Sequence, residues 1–205
     1  MSLRGLLVDY GGVLTTSVWD SFGAFCRDED IDPGEVRRLF RDDPSALALL
    51  RRLEVGELTE ESFSAEFGPL LGLPPERHEG LVDRLFAGMQ PEPLMLDALR
   101  RARAAGLRTG LISNSWGRGR YDRDSFDELF DGVVISGEVG LHKPQPEIFA
   151  LGAERAGVPA SDCVFVDDLR ENCVGAEEAG MTAVLHRDPE ETVSLLERLL
   201  DVELR

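Results

Sequence analysis

The sequence predicts a doubly wound α/β fold, a parallel sheet with helices on both faces, interrupted after its first strand by an all-helical insertion. Three observations carry this reading. Short apolar runs alternate with helical patterns over residues 3–15 and 94–186, and that alternation requires parallel strands joined by crossover helices. Residues 16–90 are amphipathic at helical spacing and contain no clear strand run. The length, 205 residues, suits one domain with one sizeable insertion. The expected division is therefore an α/β core from 1–15 and 91–205, and a helical cap from 16–90 lying over the sheet's active edge.

Leu3 to Val8 (LRGLLV) is a short apolar run that stops at Asp9 and is followed by Tyr10 and the turn pair Gly11-Gly12; it reads as a buried strand. In the insertion, Leu47, Leu50 and Leu53 mark one apolar helix face, and Phe63, Phe67, Leu70 and Leu71 another. Between them lies a loop, Glu54 to Thr59. Thr59 can cap the next helix, although Ser62, three residues on, is not the Glu or Gln of a capping box. Pro93 opens a helix through Ala105, with Leu96, Leu99 and Ala102 on one face and Gly106 as its stop. A strand over Leu107–Ile112 ends in Ser113-Asn114, and Val133–Ile135 is a short strand. Pro146–Ala156 reads as a helix closed by Gly157. Cys163–Val166 is a buried strand ending in Asp167-Asp168, followed by a helix from Glu171 to Ala179 and a strand over Thr182–Leu185. Pro189 starts a last helix carrying Leu195, Leu196 and Leu199.

Composition excludes several functions. Asp and Glu number 39 against 22 Lys and Arg, a formal charge of −17. Nucleic-acid binders need Lys and Arg to neutralise phosphates, and anionic membranes repel such a surface, so neither is an expected partner. A phosphorylated ligand would also be opposed at long range, and a cation must then supply local attraction. No run of 18 apolar residues is present, and Met1 to Arg4 does not open a signal peptide. Cys26, Cys163 and Cys173 are odd in number and lack CxxC spacing, as befits reduced thiols. The expectation is a cytoplasmic protein; its oligomeric state is not legible.

Ligands of open α/β sheets bind beyond the carboxyl ends of the strands. Three of the expected strands end there in polar groups: Asp9, Ser113-Asn114 and Asp167-Asp168. Three carboxylates brought that close cannot all stay ionised unless a cation sits among them. Carboxylate oxygens with water and a backbone carbonyl suit magnesium, which also bridges to substrate phosphate. Lys143, in the Pro-stiffened turn Gly-Leu-His-Lys-Pro-Gln-Pro, could aim an ammonium group at the same place. Cation, ammonium, hydroxyl and backbone donors together are what a transferring phosphoryl group requires.

In these motifs the chain resembles the haloacid dehalogenase-like (HAD) hydrolase superfamily, whose Rossmann-like core carries inserted caps. The motifs are Leu6-Leu7-Val8-Asp9-Tyr10-Gly11-Gly12-Val13-Leu14, Gly110-Leu111-Ile112-Ser113-Asn114, Lys143-Pro144 with Glu147-Ile148-Phe149, and Val164-Phe165-Val166-Asp167-Asp168 with Asn172, Gly175-Ala176 and Ala179-Gly180-Met181. They occur in order across nearly the whole chain, and the match looks closest to the phosphatase branch that includes the N-terminal domain of soluble epoxide hydrolases. The resemblance implies a magnesium-dependent phosphohydrolase acting on a small phosphorylated metabolite. Asp9 would be the nucleophile that forms an aspartyl-phosphate. Ser113 and Lys143 would hold phosphate oxygens, with Asn114 as a secondary donor. Asp168 would ligate magnesium with an Asp9 oxygen and the Gly11 carbonyl, and Asp167 and Asn172 would support that shell.

Such phosphatases usually carry a second Asp two residues after the nucleophile, as general acid and base. Here that residue is Gly11, which cannot transfer a proton, and this group is typically worth about 10²–10⁴-fold in rate. Two consequences stand open: a preference for substrates with good leaving groups, or a different proton donor. Gly11 also favours an alternative, a non-catalytic module that binds a phosphorylated ligand or partner. A metal-free 2-haloacid dehalogenase is a further alternative, disfavoured by Asp167-Asp168. Among other candidates, Trp19, Phe22 and Phe25 are expected in the core of the cap and Tyr10 in packing. Trp116, Arg118 and Arg120 are expected on a solvated loop, and His142 at the surface.

Overall fold

The computed structural model describes residues 3–117, 121 and 123–205. Five strands form one parallel sheet: β1 (Gly5–Val8), β2 (Arg108–Ser113), β3 (Gly132–Ile135), β4 (Cys163–Asp167) and β5 (Thr182–Leu185), in the order β3-β2-β1-β4-β5. Pairing is in step, with Val8 opposite Leu111 on one side and Val166 on the other. The chain builds outward from β1 in one direction and then resumes on its other side. The carboxyl ends of β1, β2 and β4 thus meet at the switch point where such sheets open a crevice. Ser113 and Asp167 are themselves in the ladder, opposite Ile135 and Leu185. Both strands run one residue beyond the apolar run that marked them, because backbone pairing does not end where side-chain polarity begins.

Between β1 and β2 come α1 (Val18–Asp28), α2 (Glu35–Asp42), α3 (Pro44–Glu54), α4 (Glu60–Phe67), α5 (Leu81–Phe86) and α6 (Pro93–Ala104). Two short helices, α7 (Phe126–Leu129) and α8 (Ser136–Val139), flank β3; α9 (Pro146–Ala156), α10 (Arg170–Glu178) and α11 (Pro189–Leu200) complete the fold. Strand pleating divides the core. Leu6 and Val8 pack with Met95, Leu99, Val193 and Leu196 on one face, while Leu7 packs with Ile112, Phe149 and Phe165 on the other. The first five helices have their own apolar cluster, built on Phe22, Phe40, Phe63, Phe67 and Leu81. Local chemistry sets their ends: Asp43 accepts hydrogen bonds from Ser45 and Ala46 at the start of α3, and Thr59 accepts one from Ser62 at the start of α4. This helical block leaves and rejoins the core through paired segments. Thr15 bridges Pro91, the Thr16 N–H donates to the Gln90 carbonyl at 2.8 Å, and the Glu92 N–H donates to Leu14 at 2.8 Å. The three cysteines are free and buried. Among the described residues, no helix is long and apolar enough to cross a membrane.

Candidate active site

The switch point opens into a cavity of about 430 Å³, walled by the strand ends on one side and by α1, α3 and α5 on the other. Asp9 follows β1, and its backbone N–H still bonds Val166 at 2.9 Å, so the ladder fixes its position. Asp9 Oδ1 accepts from the Tyr10 N–H at 2.7 Å and lies 2.8 Å from Lys143 Nζ. Both contacts fall on one oxygen and leave Oδ2 outside them. Lys143 Nζ also donates to Asp167 Oδ2 at 2.7 Å, and its side chain is 1% exposed. Asp167, fully buried, is saturated further by Asn172 Nδ2 at 3.0 and 3.1 Å and by the Leu169 N–H at 2.8 Å.

Asp9, Asp167 and Asp168 each offer an oxygen within 4.8 Å of the others. Asp168 lies against Gly12: a Cβ there would come within 2.7 Å of Asp168 Oδ2, and its φ of +79° is itself costly for other residues. One buried ammonium does not neutralise three carboxylates. Burial, reinforced by Asp167 and Asp168 against the pull of Lys143, raises the Asp9 carboxyl to about 7. Burial and then Asp167 raise Asp168 to about 6. Burial opposes the charge on Lys143, but Asp167 and Asp9 outweigh it and hold the ammonium above its usual range. An excess of hard, negative oxygen donors at one point suits a hard cation. Asp167 has spent both oxygens on Lys143, Asn172 and Leu169, whereas the Tyr10 and Lys143 contacts of Asp9 fall on Oδ1 alone.

Ser113 is buried at the cavity wall and accepts a hydrogen bond from Tyr121 Oη at 3.0 Å. Asn114 also lines the cavity, but its amide is engaged with the Lys143 backbone: Oδ1 accepts from Lys143 N–H at 2.8 Å and Nδ2 donates to the Lys143 carbonyl at 3.2 Å. In this geometry Asn114 positions the lysine. Gly11 lines the cavity too. Val18 and Met89 fill the space beside it, where a Cβ would lie 2.9 Å from Val18 Cγ2.

Several residues differ from expectation. Trp116, expected on a solvated loop, packs edge-on against Phe22, Phe40 and Phe86 at 5.4, 5.6 and 5.1 Å and lines the cavity. Its indole finds apolar cover only where the insertion docks on the sheet edge. Arg118 and Arg120 lie outside the described residues. Phe22 and Phe25 are buried in the helical cluster as expected, yet Trp19 and Phe22 also wall the cavity. Tyr10 packs edge-on against Tyr121 at 5.0 Å and shares the cavity wall. His142 is half-buried, its Nδ1 2.8 Å from the Lys143 carbonyl oxygen. Sequence reasoning missed Tyr121 and Glu54. Glu54, the last residue of α3, is half-buried at the cavity wall. Burial, with Asp9 reinforcing it and Lys143, Arg51 and Asn114 opposing, raises its carboxyl to about 8.

A family model described as haloacid dehalogenase-like hydrolase matches residues 3–180. The chain belongs to the haloacid dehalogenase-like hydrolase family. Acyl-CoA dehydrogenase family member 10 of Mus musculus is 30% identical over 213 residues, covering 99% of this chain and 20% of that protein. Glyceraldehyde 3-phosphate phosphatase of Methanopyrus kandleri is 34% identical over 106 residues, covering 50% of this chain and 46% of the phosphatase. This HAD-like chain therefore spans about a fifth to a half of the length of these relatives. A HAD family enzyme of Bacteroides thetaiotaomicron, solved as a magnesium complex, shares the fold with a TM-score of 0.69 at 21% identity, covering 96% of this chain and 99% of that one.

Proposed function

We propose that this chain is a magnesium-dependent phosphohydrolase that cleaves a small phosphorylated molecule through an aspartyl-phosphate at Asp9. One observation carries the proposal: buried Lys143 and the carboxylates of Asp9, Asp167 and Asp168 converge at a cavity of about 430 Å³. That volume suits a metabolite rather than a polymer. The phosphatase relative supports phosphate chemistry, and the magnesium complex of the structural neighbour supports the metal.

Asp9, Asp168 and the Gly11 carbonyl would hold magnesium, which when bound supplies positive charge to phosphoryl oxygens and offsets the carboxylates. Lys143 and the Ser113 hydroxyl hold the remaining phosphoryl oxygens. Asp9, tethered through Oδ1, attacks phosphorus with Oδ2; the ester bond breaks toward the leaving oxygen and the phosphoryl group rests on Asp9. Water then attacks phosphorus, returning the Asp9 carboxylate and releasing phosphate. Asp167 and Asn172 fix the Lys143 ammonium, Asn114 fixes its backbone, and segment 16–90 is the cap that walls one side of the cavity. The test is hydrolysis of p-nitrophenyl phosphate by wild-type protein and Asp9→Asn. Turnover that needs magnesium and disappears in the variant supports the proposal; turnover that survives EDTA, or survives in Asp9→Asn, overturns it.

A further inference from the structure

Cleaving an alkyl phosphate expels a poor leaving group that needs a proton, and position 11 has none to give. A side chain there would also be crowded by an apolar group, its Cβ lying 2.9 Å from Val18 Cγ2. The cavity wall offers few other acids. Asp9 and Asp168 are committed to nucleophile and metal, Lys143 is locked between two carboxylates, and burial holds the Tyr121 hydroxyl above its usual range. Glu54 remains.

We propose, resting on the phosphohydrolase reading above, that Glu54 is the general acid and base of this site, supplied by the cap in place of the absent side chain at position 11. Its placement is anchored to the core. The Glu54 carbonyl accepts from Ser136 Oγ in α8, and Ser136 Oγ in turn accepts from the Ser115 N–H at 2.7 Å. Two residues on, Gly56, with φ +78°, lies so close to the core that a Cβ would sit 2.7 Å from the Gly137 carbonyl oxygen. Cap and core thus meet at the turn that begins at Glu54.

The electrostatics suit a proton donor. Glu54 is the last residue of α3, where the negative end of the helix dipole disfavours an anion, so a purely structural role would be better served by another side chain. The charged groups that act on it are Lys143, Asp9 and Arg51. With burial the largest influence, the carboxyl is raised to about 8 and is protonated at neutral pH. Lys143 and Arg51 then favour the carboxylate left after transfer. In the first step the P–O ester bond breaks, its electron pair goes to the leaving oxygen, and that oxygen takes the Glu54 proton, giving alcohol, Glu54 carboxylate and phospho-Asp9. In the second, Glu54 takes a proton from the attacking water, the P–O bond to Asp9 breaks, and Glu54 is again neutral.

The experiment compares wild-type, Glu54→Gln and Glu54→Asp with magnesium on p-nitrophenyl phosphate, a good leaving group, and glycerol 2-phosphate, a poor one. For Glu54→Gln, the ratio of kcat/KM on p-nitrophenyl phosphate to that on glycerol 2-phosphate should rise about 10²–10⁴-fold. The wild-type kcat/KM for glycerol 2-phosphate should fall toward alkaline pH as Glu54 loses its proton, and this limb should vanish in Glu54→Gln and persist in Glu54→Asp. Equal loss on both substrates, no loss, or an alkaline limb unchanged in Glu54→Gln overturns the assignment while leaving the phosphohydrolase intact. Absence of wild-type turnover on either probe removes the phosphohydrolase reading and this inference with it. Thermal melts check folding; should Glu54→Gln fail to fold, Glu54→Asp decides, since a mere spacer would lower its kcat/KM equally on both substrates.

Discussion

Asp167→Asn keeps the shape of the side chain and removes only its charge. Asp167 is fully buried and accepts from Lys143 Nζ at 2.7 Å, from Asn172 at 3.0 and 3.1 Å, and from the Leu169 N–H at 2.8 Å. An asparagine oxygen can still serve Leu169, but its amide group then confronts the donors of Lys143 or Asn172. Breaking a buried ion pair on one side costs about 3–5 kcal/mol, mainly through the charge left uncompensated. Lys143 retains Asp9 at 2.8 Å, and Asp9 and Asp168 are relieved of a neighbouring like charge, which together argue for the lower end, about 3 kcal/mol. For a chain of this size each kcal/mol moves Tm by about 2–4 °C, so the expected fall is about 6–12 °C. Scanning calorimetry and urea unfolding, with an unchanged m-value, measure it. A fall below about 2 °C would refute the reasoning, because Lys143 would then not depend on Asp167 for its burial. Activity should fall in parallel, since an untethered ammonium pairs more tightly with Asp9 and weakens the proposed nucleophile.

Gly11→Ala forces a Cβ to within 2.9 Å of Val18 Cγ2; overpacking of this kind costs about 1–3 kcal/mol. Val18→Ala should relieve it, so the double variant should unfold at a higher urea concentration than additivity predicts. Magnesium should raise the Tm of the wild type in proportion to the logarithm of its concentration above Kd. Asp168→Asn should abolish that rise; an identical rise in the variant would remove Asp168 from the metal site.

Most of the α/β elements were legible because each is a short apolar run or an amphipathic stretch opened by Pro or closed by Gly; the four-residue α7 and α8 were not. Pro146–Ala156 and Thr182–Leu185 coincide with their expected ranges. Asp9, Ser113 and Asp167 were legible as candidates because each is the first polar residue after a buried run, and parallel pairing brings those positions to one edge. Glu54, Tyr121 and Trp116 were not. Their roles come from contacts between segments far apart in the chain, where the insertion docks on the sheet, and no local periodicity encodes that docking. The aromatic positions of α1 illustrate the same limit. Helical spacing marks Trp19, Phe22 and Phe25 as apolar, but the cavity lies against the helical insertion's own core, so one face packs and lines at once.

The most direct test of the account is the chemical state of Asp9 during turnover. Protein mixed with magnesium and p-nitrophenyl phosphate is quenched in acid within the first turnovers, digested, and mapped by mass spectrometry. The account predicts a phosphorylated peptide containing Asp9 that is absent when magnesium is withheld. Turnover with no phosphorylated peptide, or with the phosphoryl group on a different residue, would contradict it.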